Sequence, residues 1–207
     1  ACDTVRGVNN FLYPSQNYAQ GSNVSDRLTA FSSSGFTVGS DVDINGSGND
    51  IATWSFKKQE KFFDCVSWTG DSNTNQTISH GLKSIPGCII AKRTDSTGDW
   101  TVYHRGAAST TQNNSLKLNT TAAANNDNNW QEITSTSFRA YDDINVENGT
   151  FVAYLFAGGE STASEAVSLS LDGDGDYLSF SDSDTAPGSG AFTIECWIKP
   201  DSTHTNN

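Results

Sequence analysis

Short apolar runs separated by turn-forming residues recur along the whole chain. Phe151–Phe156 is apolar at every position, which is typical of a central strand buried on both faces. In Phe192–Lys199 every second residue is Phe, Ile or Cys, and this period of two predicts a strand with one buried face. Asn45-Gly46, Asn148-Gly149 and Asp172-Gly173 are typical turn sequences. No long stretch has helical spacing of apolar residues, so the pattern predicts an all-β protein.

A sequence repeat divides the chain. Phe36–Phe56 and Phe138–Phe156 each contain a strand led by Phe, the tripeptide Asp-Ile-Asn, a turn rich in Gly and Asn, and a strand ending in aromatic-x-Phe. Repeats of this kind indicate tandem modules. We therefore predict antiparallel β-sandwich modules in tandem, and we expect the chain to begin partway through the first of them.

The repeat and the composition together predict four parts. The polar, small residues of 159–166 are typical of a linker, and the segment that follows has too few strands to cover its own apolar face. The predicted parts are residues 1–58, the closing half of a first repeat module; residues 62–158, a complete β-sandwich module; residues 159–166, the linker; and residues 167–207, the start of an incomplete further domain.

The charge balance excludes some classes of partner. The chain has 24 acidic and 12 basic residues, a formal net charge of -12. Nucleic-acid affinity comes largely from clustered Lys and Arg, so we expect no nucleic-acid partner. No run of about 18 apolar residues is present, so we expect no membrane insertion.

The four cysteines, at positions 2, 65, 88 and 196, do not have the spacing of a zinc site. Cys65, Cys88 and Cys196 lie within apolar runs, where a free thiol packs as a small apolar group, and this favours buried free thiols. The alternative is a disulfide between Cys65 and Cys88, which would indicate an oxidising compartment.

Four sequence blocks carry a family resemblance. Ile78–Leu82, Pro86–Arg105, Leu116–Thr121 and Phe151–Ala157 occur in this order over about ninety residues, and together they resemble a module repeated in tail and virion structural proteins of marine tailed bacteriophages. The resemblance implies a fibre, spike or other outer virion part, often trimeric. Such a part contacts host surface glycans, neighbouring virion proteins or copies of itself.

A second resemblance concerns the C-terminal part. Leu169–Leu178 and Phe192–Pro200 are similar to the opening strands of a laminin-G-type, concanavalin-like jelly roll. Glucanases with this fold need two carboxylates on one strand, but Glu195 is the single acid in Phe192–Lys199. We therefore expect no enzyme and no catalytic residue.

Metal and cofactor sites are also not expected. Asp172, Asp174 and Asp176 resemble the start of a calcium loop, but Tyr177 stands where that loop needs glycine and Ser183 where it needs a bidentate Glu. The pattern favours a polar hairpin instead. The three histidines, at 80, 104 and 204, are far apart and have no partner at metal-ligand spacing.

Aromatic residues are the candidate glycan contacts, because sugar rings stack on exposed aromatic faces. Trp100, Tyr103 and Trp130 are predicted to serve in this way. In a strand through 99–104 alternate side chains point to opposite faces, so Trp100 and Tyr103 face opposite ways. The alternative is a core role, which is the commoner one for large aromatic residues in sandwiches.

The predicted function is that of a non-enzymatic virion structural and adhesion protein without a cofactor. One alternative is a secreted, extracellular lectin-like or polysaccharide-acting bacterial protein whose active domain lies outside residues 1–207. A second alternative is an architectural subunit of an extracellular filament.

Overall fold

The computed structural model describes residues 1–21, 26–73, 76–107 and 114–159. These residues belong to one compact unit, Ala1–Thr162, and a second unit, Ala163–Asn207, lies outside the described residues. The predictions for the linker beyond residue 159 and for the jelly-roll segment therefore fall outside them too.

The described residues form mostly antiparallel strands, as the alternating pattern predicts, with one short α-helix. None of the described helices is long and apolar enough to cross a membrane. The elements in chain order are β1 (Leu28–Phe31), β2 (Phe36–Val38), α1 (Val42–Asn45), β3 (Phe63–Thr69), β4 (Gln76–Ser79), β5 (Pro86–Arg93), β6 (Thr101–His104), β7 (Asn114–Lys117), β8 (Asn125–Asn126), β9 (Trp130–Gln131), β10 (Ser137–Ala140), a 3-10 turn (Asp142–Ile144) and β11 (Thr150–Ala157).

Two of the three sheets pack face to face. β1 and β2 form a hairpin, three strands follow the order β4-β10-β9, and six follow the order β3-β11-β5-β6-β7-β8. Trp130 and Phe138 of the three-stranded sheet share one apolar core with Ile89, Phe151 and Leu155 of the six-stranded sheet. We call this cluster the inter-sheet core.

Strand β11 is the central element of the larger sheet. It pairs with β3 from Thr150 opposite Thr69 to Phe156 opposite Phe63, and with β5 on its other edge. Phe151 and Leu155 enter the inter-sheet core, whereas Val152 is buried on the opposite face. The predicted central strand, apolar on both faces, is confirmed.

The N-terminal segment, residues 1–21, covers the outer face of the six-stranded sheet. Leu12 packs there against Phe63, Cys65, Trp100 and Val152, a set we call the outer-face cluster. The indole N–H of Trp100 donates to the carbonyl oxygens at positions 13 and 16, at 3.0 and 3.1 Å. The segment thus packs on strands of the predicted module 62–158, while the predicted division of the chain into repeat modules remains a prediction.

A buried ionic group anchors the N-terminal segment. The guanidinium of Arg6 lies 2.5 Å from the carboxylate of Asp3, and both side chains are 7% exposed. The hydroxyl of Tyr154 in β11 donates to the same carboxylate at 2.8 Å and accepts from Arg6 at 3.1 Å. Burial raises the pKa of Tyr154, so the phenol stays a neutral donor.

Cys65 and Cys88 are free thiols, as the cysteine pattern favours, and the alternative of a disulfide between them is wrong. Cys65 lies opposite Tyr154 and Cys88 opposite Phe156, so the two cysteines flank β11 on separate strands. Two strand spacings place the Cα atoms of the two cysteines about 10 Å apart, beyond the Cα–Cα distance of roughly 7 Å that a disulfide can span. Burial raises the pKa of Cys65 to about 12, so this thiol packs as a small apolar group.

We predict that Asp3→Asn lowers the free energy of unfolding by about 3–5 kcal/mol, because it leaves the buried charge of Arg6 unpaired. Urea unfolding measures the change. Glu132→Gln is the matched control, since its ion pair with Arg139 is more exposed, 58% at the carboxylate, and is worth at most about 1 kcal/mol. Equal small effects of the two substitutions would contradict the anchoring role.

Candidate functional site

An open polar cleft lies on the outer face of the six-stranded sheet, beside the N-terminal segment. Its volume is about 430 Å³. The polar residues that line it come from both parts: Ser67 and Thr69 of β3, Thr150 of β11, Thr94 just after β5, and Arg6, Asn10 and Gln20 of the N-terminal segment.

The alternation of residues in β3 explains where the cleft opens. Phe63 and Cys65 point to the outer face and lie in the outer-face cluster under the N-terminal segment. The next residues of that face are Ser67 and Thr69, which are exposed. The outer face of β3 therefore changes from apolar to hydroxylic along the strand.

Arg6 brings a charge to the wall of the cleft, but the charge is already compensated. One terminal nitrogen donates to the carbonyl of Asn10 at 3.2 Å and to the side-chain oxygen of Gln20 at 2.9 Å. Its other N–H groups are directed to Asp3, Tyr154 and the Ala1 carbonyl. All five guanidinium donors are thus used within the protein, and none is left for an anionic ligand.

The hydroxyls of the cleft differ in their availability. Thr94 and Thr150 bond to each other, with 2.5 Å between their hydroxyl oxygens. Ser67 and Thr69 are exposed, and their side chains have no hydrogen bond to another residue of the described ranges. A hydroxyl both donates and accepts, so these two can bind the hydroxyl groups of a ligand.

The three aromatic residues predicted as glycan contacts lie in the interior. Trp100 is 1% exposed in the outer-face cluster, and Tyr103 and Trp130 are 4% and 0% exposed in the inter-sheet core. The predicted opposite directions of Trp100 and Tyr103 are confirmed. None of the three rings presents an open face on which a sugar could stack. The three residues have the alternative role of packing in the interior. A glycan contact by any of them remains a prediction.

Sequence reasoning did not single out the cleft residues. Ser and Thr are abundant along this chain, so no composition signal separates Ser67 and Thr69 from the rest. The change from Phe63 and Cys65 to Ser67 and Thr69 on one strand face was readable as a pattern. The position of Arg6 and Gln20 beside these hydroxyls does not follow from a local pattern, because it depends on how the N-terminal segment folds back onto the sheet.

Other ionisable groups are buried with internal partners. Lys92 is 1% exposed, its ammonium donates to the Arg93 carbonyl at 2.7 Å, and burial lowers its pKa to about 8. Burial alone would raise the pKa of Asp64, but hydrogen bonds from Lys58 and from the backbone N–H groups of Gly81 and Cys65 outweigh it and lower the pKa.

His80 lies near Asp64 without forming a metal centre. Burial lowers the pKa of His80, and its ring stacks on Phe138 with 6.5 Å between centroids. Across the ranges described above, no group of three or more His, Cys, Asp or Glu side chains is placed to hold a metal ion.

The fold and the cleft define a β-rich protein of packed antiparallel sheets with an open polar surface site. A family model described as a domain of unknown function, DUF7483, matches residues 1–176, so the chain belongs to this family. No curated protein and no solved structure matches the chain.

We predict that Trp130→Ala lowers the free energy of unfolding by about 3–5 kcal/mol, because it opens a cavity in the inter-sheet core. Trp54→Ala is the matched control, since Trp54 is 87% exposed, and it should change the value by no more than about 0.5 kcal/mol. Denaturant unfolding followed by far-ultraviolet circular dichroism measures both. Comparable stabilities of the two variants would contradict the core role of Trp130.

Proposed function

We propose that this chain is a non-enzymatic structural and adhesion protein of an outer virion part, such as a bacteriophage tail fibre or spike. Its partners are host surface glycans and neighbouring virion proteins or copies of itself, in a trimeric or other homo-oligomeric assembly. The resemblance of the four sequence blocks to phage tail modules supports the virion location. The polar cleft supports adhesion.

The observation that carries the adhesion proposal is the chemistry of the cleft. Ser67 and Thr69 offer free hydroxyls, while the charge of Arg6 is neutralised by Asp3. A neutral site of this kind suits a ligand that is rich in hydroxyl groups and carries no charge. A neutral glycan fits this description.

The sheet holds the cleft in a fixed geometry. Ser67 pairs with Val152, and Thr69 with Thr150, in the ladder between β3 and β11 at one side of the six-stranded sheet. A preformed site loses little conformational entropy when it binds. One shallow cleft makes a weak contact, and several copies on one particle raise the overall affinity through avidity.

We expect Ser67→Tyr to weaken glycan binding at least tenfold, because the larger side chain fills the cleft. A glycan array identifies the ligand, and biolayer interferometry with that glycan measures the affinity. The control is Ser34→Tyr, which adds the same side chain at an exposed loop position outside the cleft. For a neutral glycan the affinity should change little between low and high salt.

Two results would contradict the adhesion proposal. The first is that the wild-type chain binds no glycan on the array. The second is that Ser67→Tyr and Ser34→Tyr bind equally well, which would place the glycan elsewhere on the surface.

The alternatives differ from the proposal in location and assembly. A secreted lectin-like or polysaccharide-acting bacterial protein would use the same cleft without a virion. An architectural subunit of an extracellular filament is favoured by a separate observation. Among the described residues, seven of the twelve exposed large apolar side chains lie between residues 36 and 62, namely Phe36, Val38, Val42, Ile51, Trp54, Phe56 and Phe62. Exposed apolar surface of this extent is typical of contact with another protein.

Immunogold electron microscopy separates these locations. We expect antibodies against this chain to label the tail, fibres or outer surface of phage particles from the source culture. Label on free filaments would support the architectural subunit, and soluble antigen without labelled particles would support the secreted protein. Either result would overturn the virion location.

A further inference from the structure

The two repeats place equivalent hexapeptides in different environments. The hexapeptide Ile51–Phe56 precedes Phe151–Phe156 by one hundred residues, and the tripeptides Asp43–Asn45 and Asp143–Asn145 have the same separation. Both hexapeptides end in an aromatic residue, any residue and Phe. The two hexapeptides therefore correspond both in their place within the repeat and in their aromatic-x-Phe ending.

The local structure of the repeats agrees up to the hexapeptide. In the first repeat strand β2 is followed by helix α1, which contains Asp-Ile-Asn. In the second repeat strand β10 is followed by the 3-10 turn at Asp142–Ile144. The same sequence signals thus produce a short strand and a helical turn in both places.

The hexapeptides themselves differ in their packing. Phe151–Phe156 lies in β11, paired on both edges, and Phe151 is 1% exposed. All residues of Ile51–Phe56 are exposed and none lies in a strand. Ile51 is 50% and Trp54 87% exposed. A segment that is equivalent in the repeat to a central strand, but has Thr53 and Ser55 where that strand is apolar, therefore lies in solvent without a sheet.

The C-terminal end of the exposed hexapeptide lies beside the edge of the larger sheet. The ring of Phe56 packs on Phe63 of β3 and on Phe156 of β11, at centroid distances of 5.4 and 5.2 Å. In the described part of the chain β3 is an edge strand, because its one strand partner is β11. An edge strand presents N–H and C=O groups to a further strand wherever these groups are unpaired.

Part of this edge is already occupied within the chain. The N–H and C=O groups of Phe63 bond to the backbone of Gln59, the N–H of Cys65 donates to a neighbouring carboxylate, and the carbonyl of Thr69 accepts from the side chain of Gln76. The open part of the edge therefore runs from the Cys65 carbonyl to the Thr69 N–H.

We propose that Ile51–Phe56 pairs with the open part of the β3 edge, residues 65–69, in a second copy of this chain, so that two copies associate by reciprocal strand addition. Strand β3 already pairs with β11, and the hexapeptide shares the aromatic-x-Phe ending of Phe151–Phe156, so the spacing of its aromatic side chains suits β3. Strand addition to an exposed edge is a recurrent mode of protein association. A reciprocal contact of one strand and one edge also closes with twofold symmetry.

The local charge favours this contact over repulsion between two acidic chains. Each copy has a formal net charge of -12. The residues after the hexapeptide, 57–61, contain three lysines and one glutamate, a local excess of positive charge. This basic segment beside an acidic partner reduces the electrostatic cost of bringing two copies together.

The inference is independent of glycan binding. The cleft uses the outer face of β3, whereas strand pairing uses the backbone groups along its edge. Ser67→Tyr should weaken glycan binding at least tenfold, whereas Trp54→Asp should abolish the dimer and leave glycan binding unchanged, so failure of either proposal can be recognised separately.

Sedimentation equilibrium and hydrogen–deuterium exchange test the proposal on the whole chain. We expect a dimer whose population rises with concentration, and slower amide exchange within both 51–56 and 67–69 when it forms. Trp54→Asp should abolish the dimer. Val42→Asp is the control, because Val42 is 72% exposed but lies outside the hexapeptide, and it should leave the dimer intact.

Proline substitutions test for strand pairing as opposed to unspecific apolar contact. Adjacent N–H groups of a strand point to opposite edges, so only one of the N–H groups of Ala52 and Thr53 can face β3 of the other copy. Proline removes the N–H. Of the variants Ala52→Pro and Thr53→Pro, one should therefore raise the dissociation constant of the dimer at least about tenfold and the other less than about twofold. Equal effects of the two prolines would overturn the proposal. A chain that stays monomeric at all concentrations, or protection of 51–56 in the monomer, would overturn it as well.

Discussion

Burial of β11 on both faces and both edges is the constraint on which the rest of this structure depends. A strand that is apolar at nearly every position cannot leave either face in water, because each buried large side chain is worth about 1.5–3 kcal/mol relative to exposure. Two covers are therefore required. The three-stranded sheet supplies one, and the N-terminal segment supplies the other through Leu12 and the carbonyls that bind Trp100. The ionic group of Asp3, Arg6 and Tyr154 holds that second cover in place.

The candidate site is a consequence of the second cover. The N-terminal segment shields the apolar half of the outer face of β3, where Phe63 and Cys65 lie. Beyond them the face carries Ser67 and Thr69, which need no cover because hydroxyls are hydrated at no cost. The same arginine that anchors the segment also forms a wall of the cleft, and its pairing with Asp3 makes that wall neutral. Anchoring of the segment and neutrality of the cleft wall thus depend on one ion pair.

The two repeats show which structural features a local sequence pattern determines and which it does not. Strand signals and the Asp-Ile-Asn helical turn lead to similar local structure in both, since they depend on residues that are near in sequence. The final hexapeptide becomes a central strand only at 151–156, where β3 and β5 supply partners on both edges. At 51–56 no such partners are present within the described ranges, and the apolar residues remain exposed. Strand formation is cooperative between segments, so sequence alone does not decide it.

Several features were determined by the sequence itself: the mostly β character of the described residues, the buried central strand and the opposite directions of Trp100 and Tyr103. These follow from alternation along one strand, which is a local property. The tertiary structure decided which faces are covered. It placed Trp100, Tyr103 and Trp130 in the interior, separated Cys65 from Cys88 by an intervening strand, and brought Arg6 to Ser67 and Thr69. Contacts of this kind depend on strand order and on the path of the N-terminal segment, which join residues far apart in the chain and leave no periodic signal in it.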